Sequence, residues 1–256
     1  MTRAATDSLW LPFETELDRW SAAGRRVSLW LRDDDAIAAS PALDRLSALS
    51  QRHGLPVLLA VIPMLAEPSL ASALRQMPTL LPCQHGCWHR NHAPAGAKKA
   101  EFGADRAADD IRDELREAKA RLGDLLGPAL LPVFVPPWNR IDPAHAALLP
   151  DIGFRGLSCF RGYRLGAKGG PALVNTALDL MDWRARIGRP AADMVYEACR
   201  LLAAMRADAG DGDALGLLLH HRDHDEAAWA FLEGFLARAT AHPAVAHGDP
   251  RRLFGL

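Results

Sequence analysis

Cysteine is scarce in this sequence, with four in 256 residues. That is too few for a disulfide scaffold and fits a chain kept in a reducing compartment. Long apolar runs are missing as well; none approaches the roughly 18 residues of a membrane span. The opening stretch MTRAATDSLWLPFETELDRW lacks the apolar core of a signal peptide, because Asp7, Glu14 and Glu16 interrupt it. A cytoplasmic location with no membrane partner is therefore expected. Charge of one sign is lacking too. Thirty Lys and Arg stand against 31 Asp and Glu, a formal net charge of −1 with no basic block. This argues against general phosphate-backbone binding, so no nucleic-acid partner is expected. Repeats and low-complexity linkers are absent, which points to a single domain over residues 1–256. Nothing in the sequence speaks to oligomeric state.

What is there is an alternation of apolar runs and helical patterns. VSLWL (27–31) reads as a buried strand, and the helix after it has Ser40 as N-cap, Pro41 in its first turn and Gly54 as its stop. PVLLAVI (56–62) and TLLPCQH (79–85) read as strands two and three, with a short helix near 69–77 between them. A long charged helix is expected over 105–126, then strands at 131–135, 154–160 and, more weakly, 172–176. A helix near 190–208 leads into LGLLLHH (215–221), and DEAAWAFLEGFLARA makes a last helix. Seven strands separated mostly by helices imply an α/β fold with a parallel sheet and right-handed crossovers. The strand count favours a closed or nearly closed barrel, with active residues where strands end and loops begin.

The unusual residues fall at those ends. RDDDA (32–36) follows strand one, HGCWHRNH strand three, PPWNR (136–140) strand four, DLMDWR (179–184) strand six and HHRDHD (220–225) strand seven. Six of the ten histidines lie in two of these stretches, so they are not scattered. Each cluster alone has an ordinary explanation: a capping turn, loop histidines, a rigid Pro-Pro turn, histidines packed in a core. Together they supply what metal-assisted hydrolysis needs, namely His and carboxylate ligands, an open position for water and a nearby carboxylate base. A competing reading takes Cys83, His85, Cys87 and His89 along one strand face as a structural Cys2His2 zinc site. Cys83 and Cys87 have neither zinc-ribbon nor thioredoxin spacing, and that reading leaves RDDDA and HH without a role.

In this order the motifs resemble those of the polysaccharide deacetylase family, carbohydrate esterase family 4, in a divergent form. LRDDDA, HGCWH, VPPWN, DLMDW and LLLHH are similar to its TFDDG-like, HxxxH, RPPY/W-like, DxxDW-like and late Leu-His segments, and they span residues 31–221. The resemblance implies a distorted (β/α)7 TIM-like barrel with mostly parallel strands. It also implies a divalent metal, zinc first, and hydrolytic removal of acetyl groups from N- or O-acetylated carbohydrate. Carried over by position, Asp34 is the catalytic base, and Asp35, His85 and His89 are the metal ligands. A one-residue slip would choose Asp33 and Asp34 instead. His220 or His221 matches the general acid, with Asp179 or Asp182 to orient it. Trp138 and Trp183 match walls of the sugar pocket, and Asn139, Arg140 and Asp182 lie beside them as substrate-binding candidates.

Two departures stand out. The family arginine that orients the base is Val135 here, leaving Arg32, Arg140 or Arg184 to replace it, and Asn91 and His92 have no counterpart. Typical members act on exported polymers and carry secretion signals; the opening stretch shows none, which makes a small or intracellular acylated sugar as plausible a substrate as a polymer. A small non-sugar amide, or a catalytically silent metal- or glycan-binding role, are the alternatives.

Overall fold

Strand-length runs of Val, Leu and Ala build the centre of the molecule. In this computed structural model, which describes residues 3–166, 169–208 and 214–256, strands β1 (Val27–Ala36), β2 (Val57–Val61), β3 (Leu80–His85), β4 (Val133–Val135) and β5 (Gly156–Leu157) lie side by side and parallel. Next come β6 (Ala172–Leu173) and β7 (Leu178–Asp179), two ends of one extended segment. β8 (Met181–Asp182) and β9 (Ile187–Gly188) form an antiparallel hairpin outside the sheet. β10 (Ala214–Leu219) lies against β1 in parallel, and β11 (Val245–His247) pairs with the first residues of β1. The sheet order is β6-β5-β4-β3-β2-β1-β10-β7. Because β6 and β7 belong to the single segment 172–179, the sheet curls until that segment joins β5 to β10. The result is the distorted (β/α)7 barrel.

Period-two alternation decides what faces inward. Trp30, Leu58, Ala60, Cys83, Val133 and Val135 pack together inside the barrel. Leu29, Leu31, Val57, Leu59, Leu80, Leu215, Leu217 and Leu219 pack outward beneath the helices. Gly216 makes room for the central Trp30: a Cβ there would stand 2.6 Å from the indole Nε1.

The helices are α1 (Arg3–Ala22), α2 (Pro41–His53), α3 (Pro68–Leu74), α4 (Ala108–Leu126), α5 (Pro143–Ala146), α6 (Ala191–Ala207), α7 (Glu226–Ala239) and α8 (Pro250–Leu253). The expected caps of α2 are present. Ser40 Oγ accepts the Leu43 N–H at 3.1 Å, and Gly54 sits at φ +57°. α1 packs on α6, where Trp20 Nε1 donates to Leu202 O at 3.2 Å. Phe254, just past α8, stands edge-on to Trp30 and helps fill the barrel interior. α1, the β8–β9 hairpin, β11 and α8 go beyond the sequence reading. Strand five is shorter than expected, reduced to Gly156–Leu157 plus a single bridge from Phe160 to Thr176. No helix among the described residues is long and apolar enough to cross a membrane.

Candidate active site

The three aspartates ending β1 point three ways. Asp33 continues the outward row and is fully buried: its Oδ1 is 2.5 Å from His221 Nδ1, and its Oδ2 accepts the His221 N–H at 2.8 Å. Asp34 faces the barrel interior. Arg32, two residues earlier on the same face, grips it with both arms of a fork, Nε to Oδ1 and Nη2 to Oδ2, each at 2.9 Å. The guanidinium is fully buried and also donates to Ser158 Oγ at 2.8 Å, Cys159 O at 3.0 Å and Asn139 Oδ1. Of the arginines considered for the place left by Val135, Arg32 is the one that reaches Asp34. Arg140 donates instead to Lys99 O at 2.9 Å, and Arg184 lies exposed in the β8–β9 turn.

Asp35 breaks the alternation. Its φ is +71°, and the β1–β2 register shifts between Asp33 and Ala36. This bulge turns a third consecutive carboxylate toward the site, as bulges commonly re-aim a side chain. Its Oδ1 lies 3.1 Å from His85 Nε2 and 3.3 Å from His89 Nε2.

His85 is the last residue of β3, and its Nδ1 pairs with Val135 O at 3.0 Å. The carbonyl can only accept, so Nδ1 carries the hydrogen and Nε2 presents a lone pair. Gly86, at φ +56°, then turns the chain; a Cβ there would meet Glu101 Oε2 at 2.2 Å and Pro137 Cγ at 2.6 Å. The turn separates the cysteines: Cys83 stays inside the barrel, whereas Cys87 packs in the outer cluster with Phe102 and Phe134. Residues 83, 85, 87 and 89 therefore do not share a face. Burial pushes both thiols well above their ordinary range, which makes them poor thiolate donors.

The loop carrying His89 is held by a residue that no sequence motif singles out. Glu101 is 1% exposed, and its carboxylate accepts the N–H groups of Trp88 at 2.8 Å, Cys87 at 3.2 Å and Arg90 at 3.4 Å. Asn91, without a counterpart in the family motifs, staples the same loop by accepting from Ala93 and Ala100.

Among the described residues, the group able to hold a metal ion is Asp35, His85 and His89, with ligand atoms all within 4.8 Å of one another. Asp35 Oδ1 is buried and has no hydrogen-bond partner. Two imidazole nitrogens and an orphaned carboxylate oxygen converging on one point call for a cation. Burial alone would raise the Asp35 carboxyl, but the close approach of His85 and the neighbouring His89 and His220 hold it well below the ordinary carboxylate range. Burial, followed by the His85 charge, lowers His89 and keeps it a neutral donor. The donor set fits a divalent metal with positions left open.

Across the site, alternation along β10 continues past Gly216 and Leu218 to His220, which faces inward with Asp34, while His221 faces out with Asp33. His220 meets Trp183 edge-on, with ring centroids 4.4 Å apart. The Trp183 Nε1–H donates to Asp179 Oδ2 at 2.9 Å, and burial raises the Asp179 carboxyl against the opposing charge of His220. His220 Nδ1 is buried without a partner, and the His220 N–H donates to His224 Nε2 at 3.2 Å. Asp182 is exposed, and its Oδ1 accepts the N–H groups of Arg184 and Ala185 in the hairpin turn. On the other flank, the Trp138 and His89 rings are 4.4 Å apart. Asn139 lies in the Arg32 network rather than at the rim. Among the described residues, four of the five non-glycine residues with positive φ are Asp35, His89, Trp138 and Asn139, so backbone strain concentrates here, as it does at functional sites.

No protein-family model matches the chain, and no curated protein matches it. Solved structures do match. A Mycobacterium smegmatis protein assigned as a polysaccharide deacetylase is 19% identical, over 84% of this chain and 76% of the other, with a TM-score of 0.61. The family 4 carbohydrate esterase from Streptomyces lividans, in complex with acetate, is 15% identical over 87% and 92%, with a TM-score of 0.56. A family 4 pseudoenzyme from Bacillus anthracis is 13% identical over 90% and 66%, with a TM-score of 0.59. The chain thus has the polysaccharide deacetylase fold, at low sequence identity.

Proposed function

We propose that the protein is a divergent polysaccharide deacetylase, a metal-dependent hydrolase that removes acetyl groups from N- or O-acetylated carbohydrate. The observation that carries this reading is the division of labour between two neighbouring carboxylates. Asp34 is locked in a guanidinium fork facing the barrel interior, and Asp35 faces two imidazoles beside it. Asp35, His85 and His89 would hold the ion, with zinc the first choice for two nitrogens and one carboxylate. When bound, such an ion polarises the acyl carbonyl and lowers the pKa of water from 15.7 towards ~7.

The remaining work falls to the protein. Asp34 takes the proton of the attacking water, and Arg32 keeps both its oxygens in fixed orientation. His220 gives a proton to the departing nitrogen or oxygen, while His221 buttresses the strand end through Asp33. Asp179 fixes the Trp183 indole, and Trp138 and Trp183 wall the sugar. We further read residues 1–256 as one catalytic domain. Its unpaired, mostly buried thiols are consistent with the cytoplasm.

The acetate in the Streptomyces lividans complex is the product such a reaction releases. The pseudoenzyme among the matches keeps a silent relative in view, although the Arg32 fork supplies the guanidinium whose loss at Val135 motivated that alternative. The test is acetate release by metal-reconstituted protein on acetylated sugars and on small amides. Release from the sugars, dependent on metal and abolished by Asp34→Asn, is expected. Release only from amides would move the substrate class, and silence on both panels with metal bound would sink the enzyme reading.

A further inference from the structure

No hydrogen bond among the described residues holds the ring of His220, the proposed acid. Its Nδ1 is buried without a partner. Both oxygens of Asp179 are engaged elsewhere, Oδ1 by the Met181 N–H at 3.0 Å and Oδ2 by the Trp183 Nε1–H at 2.9 Å. What touches the imidazole is the Trp183 ring, edge-on at 4.4 Å. The aim of the acid therefore depends on where the backbone of residue 220 is fixed.

That backbone stands just past the sheet. The β7–β10 ladder ends at Leu218 and the β1–β10 ladder at Leu219, which leaves residues 220 and 221 without a strand to bond. Side chains take over. Asp33 Oδ2 accepts the His221 N–H at 2.8 Å, and His224 Nε2 accepts the His220 N–H at 3.2 Å. The same turn answers the His220 carbonyl, which accepts the N–H groups of Asp223 at 2.9 Å and His224 at 3.1 Å. Residue 224 thus grips residue 220 at its backbone donor and at its backbone acceptor.

His224 is itself tied down. Its ring lies 4.8 Å from that of buried Trp229 and nearly perpendicular to it. The next residue, Asp225, caps α7 through the Ala228 N–H and accepts the Gly188 N–H at 3.0 Å. A backbone N–H can only donate, so His224 Nε2 carries the lone pair and Nδ1 the hydrogen. Burial, ahead of the opposing charge of Asp33, lowers His224 to about 4 and keeps it in that neutral form.

We infer that His224 is a positioning residue for His220: its imidazole stands in for the missing strand and fixes the turn that aims the acid. The inference rests on the deacetylase reading and adds a residue to its leaving-group step. A misplacement of about 1 Å can cost about 10²-fold in rate, within the roughly 10²–10⁴-fold that a general acid contributes.

The experiment separates aiming from folding. His224→Phe keeps the bulk and removes the acceptor, whereas His224→Gln offers Oε1 in place of Nε2. With fold and metal content verified, both are assayed on an acetylated sugar and on 4-nitrophenyl acetate, whose leaving group departs without a proton. His224→Phe should lower kcat on the sugar about 10–100-fold with KM within about threefold, and should slow the nitrophenyl ester by less than about threefold. His224→Gln should recover most of the sugar rate. In a His220→Ala background, His224→Phe should add less than about threefold, because the group it positions is gone. Independently of turnover, NMR of isotope-labelled wild-type protein should show a coupling across the hydrogen bond between the His220 amide nitrogen and His224 Nε2. Equal losses on the two substrates, full additivity with His220→Ala, or absence of that coupling overturns the inference; the coupling decides if no stable His224→Phe protein is obtained. Turnover of the sugar alongside any of these results leaves the deacetylase reading standing and this one fallen. A coupling without turnover of either substrate sinks the deacetylase reading, and the catalytic role of His224 with it.

Discussion

Replacing Arg32 with methionine tests the centre of the site directly. The guanidinium is fully buried and makes five hydrogen bonds, two of them to Asp34, which is itself 2% exposed. Methionine fills much of the volume but leaves the carboxylate buried with no counter-charge. Breaking a buried pair from one side costs about 3–5 kcal/mol, because the remaining charge is stranded. For a chain of this size each kcal/mol moves the melting midpoint by roughly 2–4 °C, so a fall of about 6–20 °C is expected. Adding Asp34→Asn to Arg32→Met removes the stranded charge, and the double variant should recover about 1–3 kcal/mol relative to additivity. Arg32→Lys keeps the charge without the fork and should fall between the wild type and Arg32→Met. Equilibrium urea unfolding of all four variants, metal-loaded and metal-stripped, measures these differences. An Arg32→Met loss below about 1 kcal/mol, or strict additivity in the double variant, would refute the buried pair.

The other predictions concern neighbouring groups. Asp35→Ala should lose bound metal, whereas Asp34→Asn should keep it and lose about 10²–10⁴-fold in turnover; metal analysis and rates on both decide, and the opposite pattern would slip the register by one. His220→Ala should lose rate at near wild-type stability, while His221→Ala strands buried Asp33 and should cost about 3–5 kcal/mol in urea unfolding. Glu101→Gln removes one acceptor oxygen from the His89 loop and should cost about 1–3 kcal/mol; metal titration should also show weaker binding, and unchanged affinity would remove Glu101 from the support of the site. Burial holds His224 down to about 4 from its ordinary 6.5, leaving its Nε2 free to accept from His220. A depressed folded-state pKa contributes stability that is complete above about 6.5 and is lost as pH falls towards 4. His224→Gln should flatten that part of the pH–stability profile, and an unchanged profile would show the loss arises elsewhere.

Legibility from sequence followed the strength of the local signal. β1, β2, β3 and β10 are long Val- and Leu-rich runs, and α2 carries conventional punctuation at Ser40 and Gly54, so all were readable. α1 was not, because Pro12 in its interior argues against a helix. β5 and β6 are two-residue strands within the longer runs expected at 154–160 and 172–176, and β7, also of two residues, is too short for any periodic pattern. Alternation already pointed Asp33 away from Asp34, and continued from Gly216 through Leu218 it would also have selected His220 over His221. The orientation of Asp35 depends on a left-handed backbone that nothing in an aspartate announces. The notion of Cys83, His85, Cys87 and His89 on one face fails at Gly86, where the strand stops. Glu101 lies in a polar loop twelve positions beyond His89, and only the fold brings its carboxylate under the amides it holds.

The ladders of the barrel are unequal, and that divides its motions. β1 pairs with β10 over six positions and β2 with β3 over five, whereas β4–β5, β5–β6 and β7–β10 share two each. Local opening is cheapest where few hydrogen bonds must break together. Asp34, Asp35, His85 and His220 all stand at the ends of well-paired strands. Trp138 and Trp183 follow β4 and β7, on the thinly paired arc that segment 172–179 closes. The groups to which the proposed reaction is assigned therefore sit on the more fully paired half of the wall. The two indoles stand on the half whose ladders are short, where local opening is expected to cost least, while the carboxylates and imidazoles end the longer ladders.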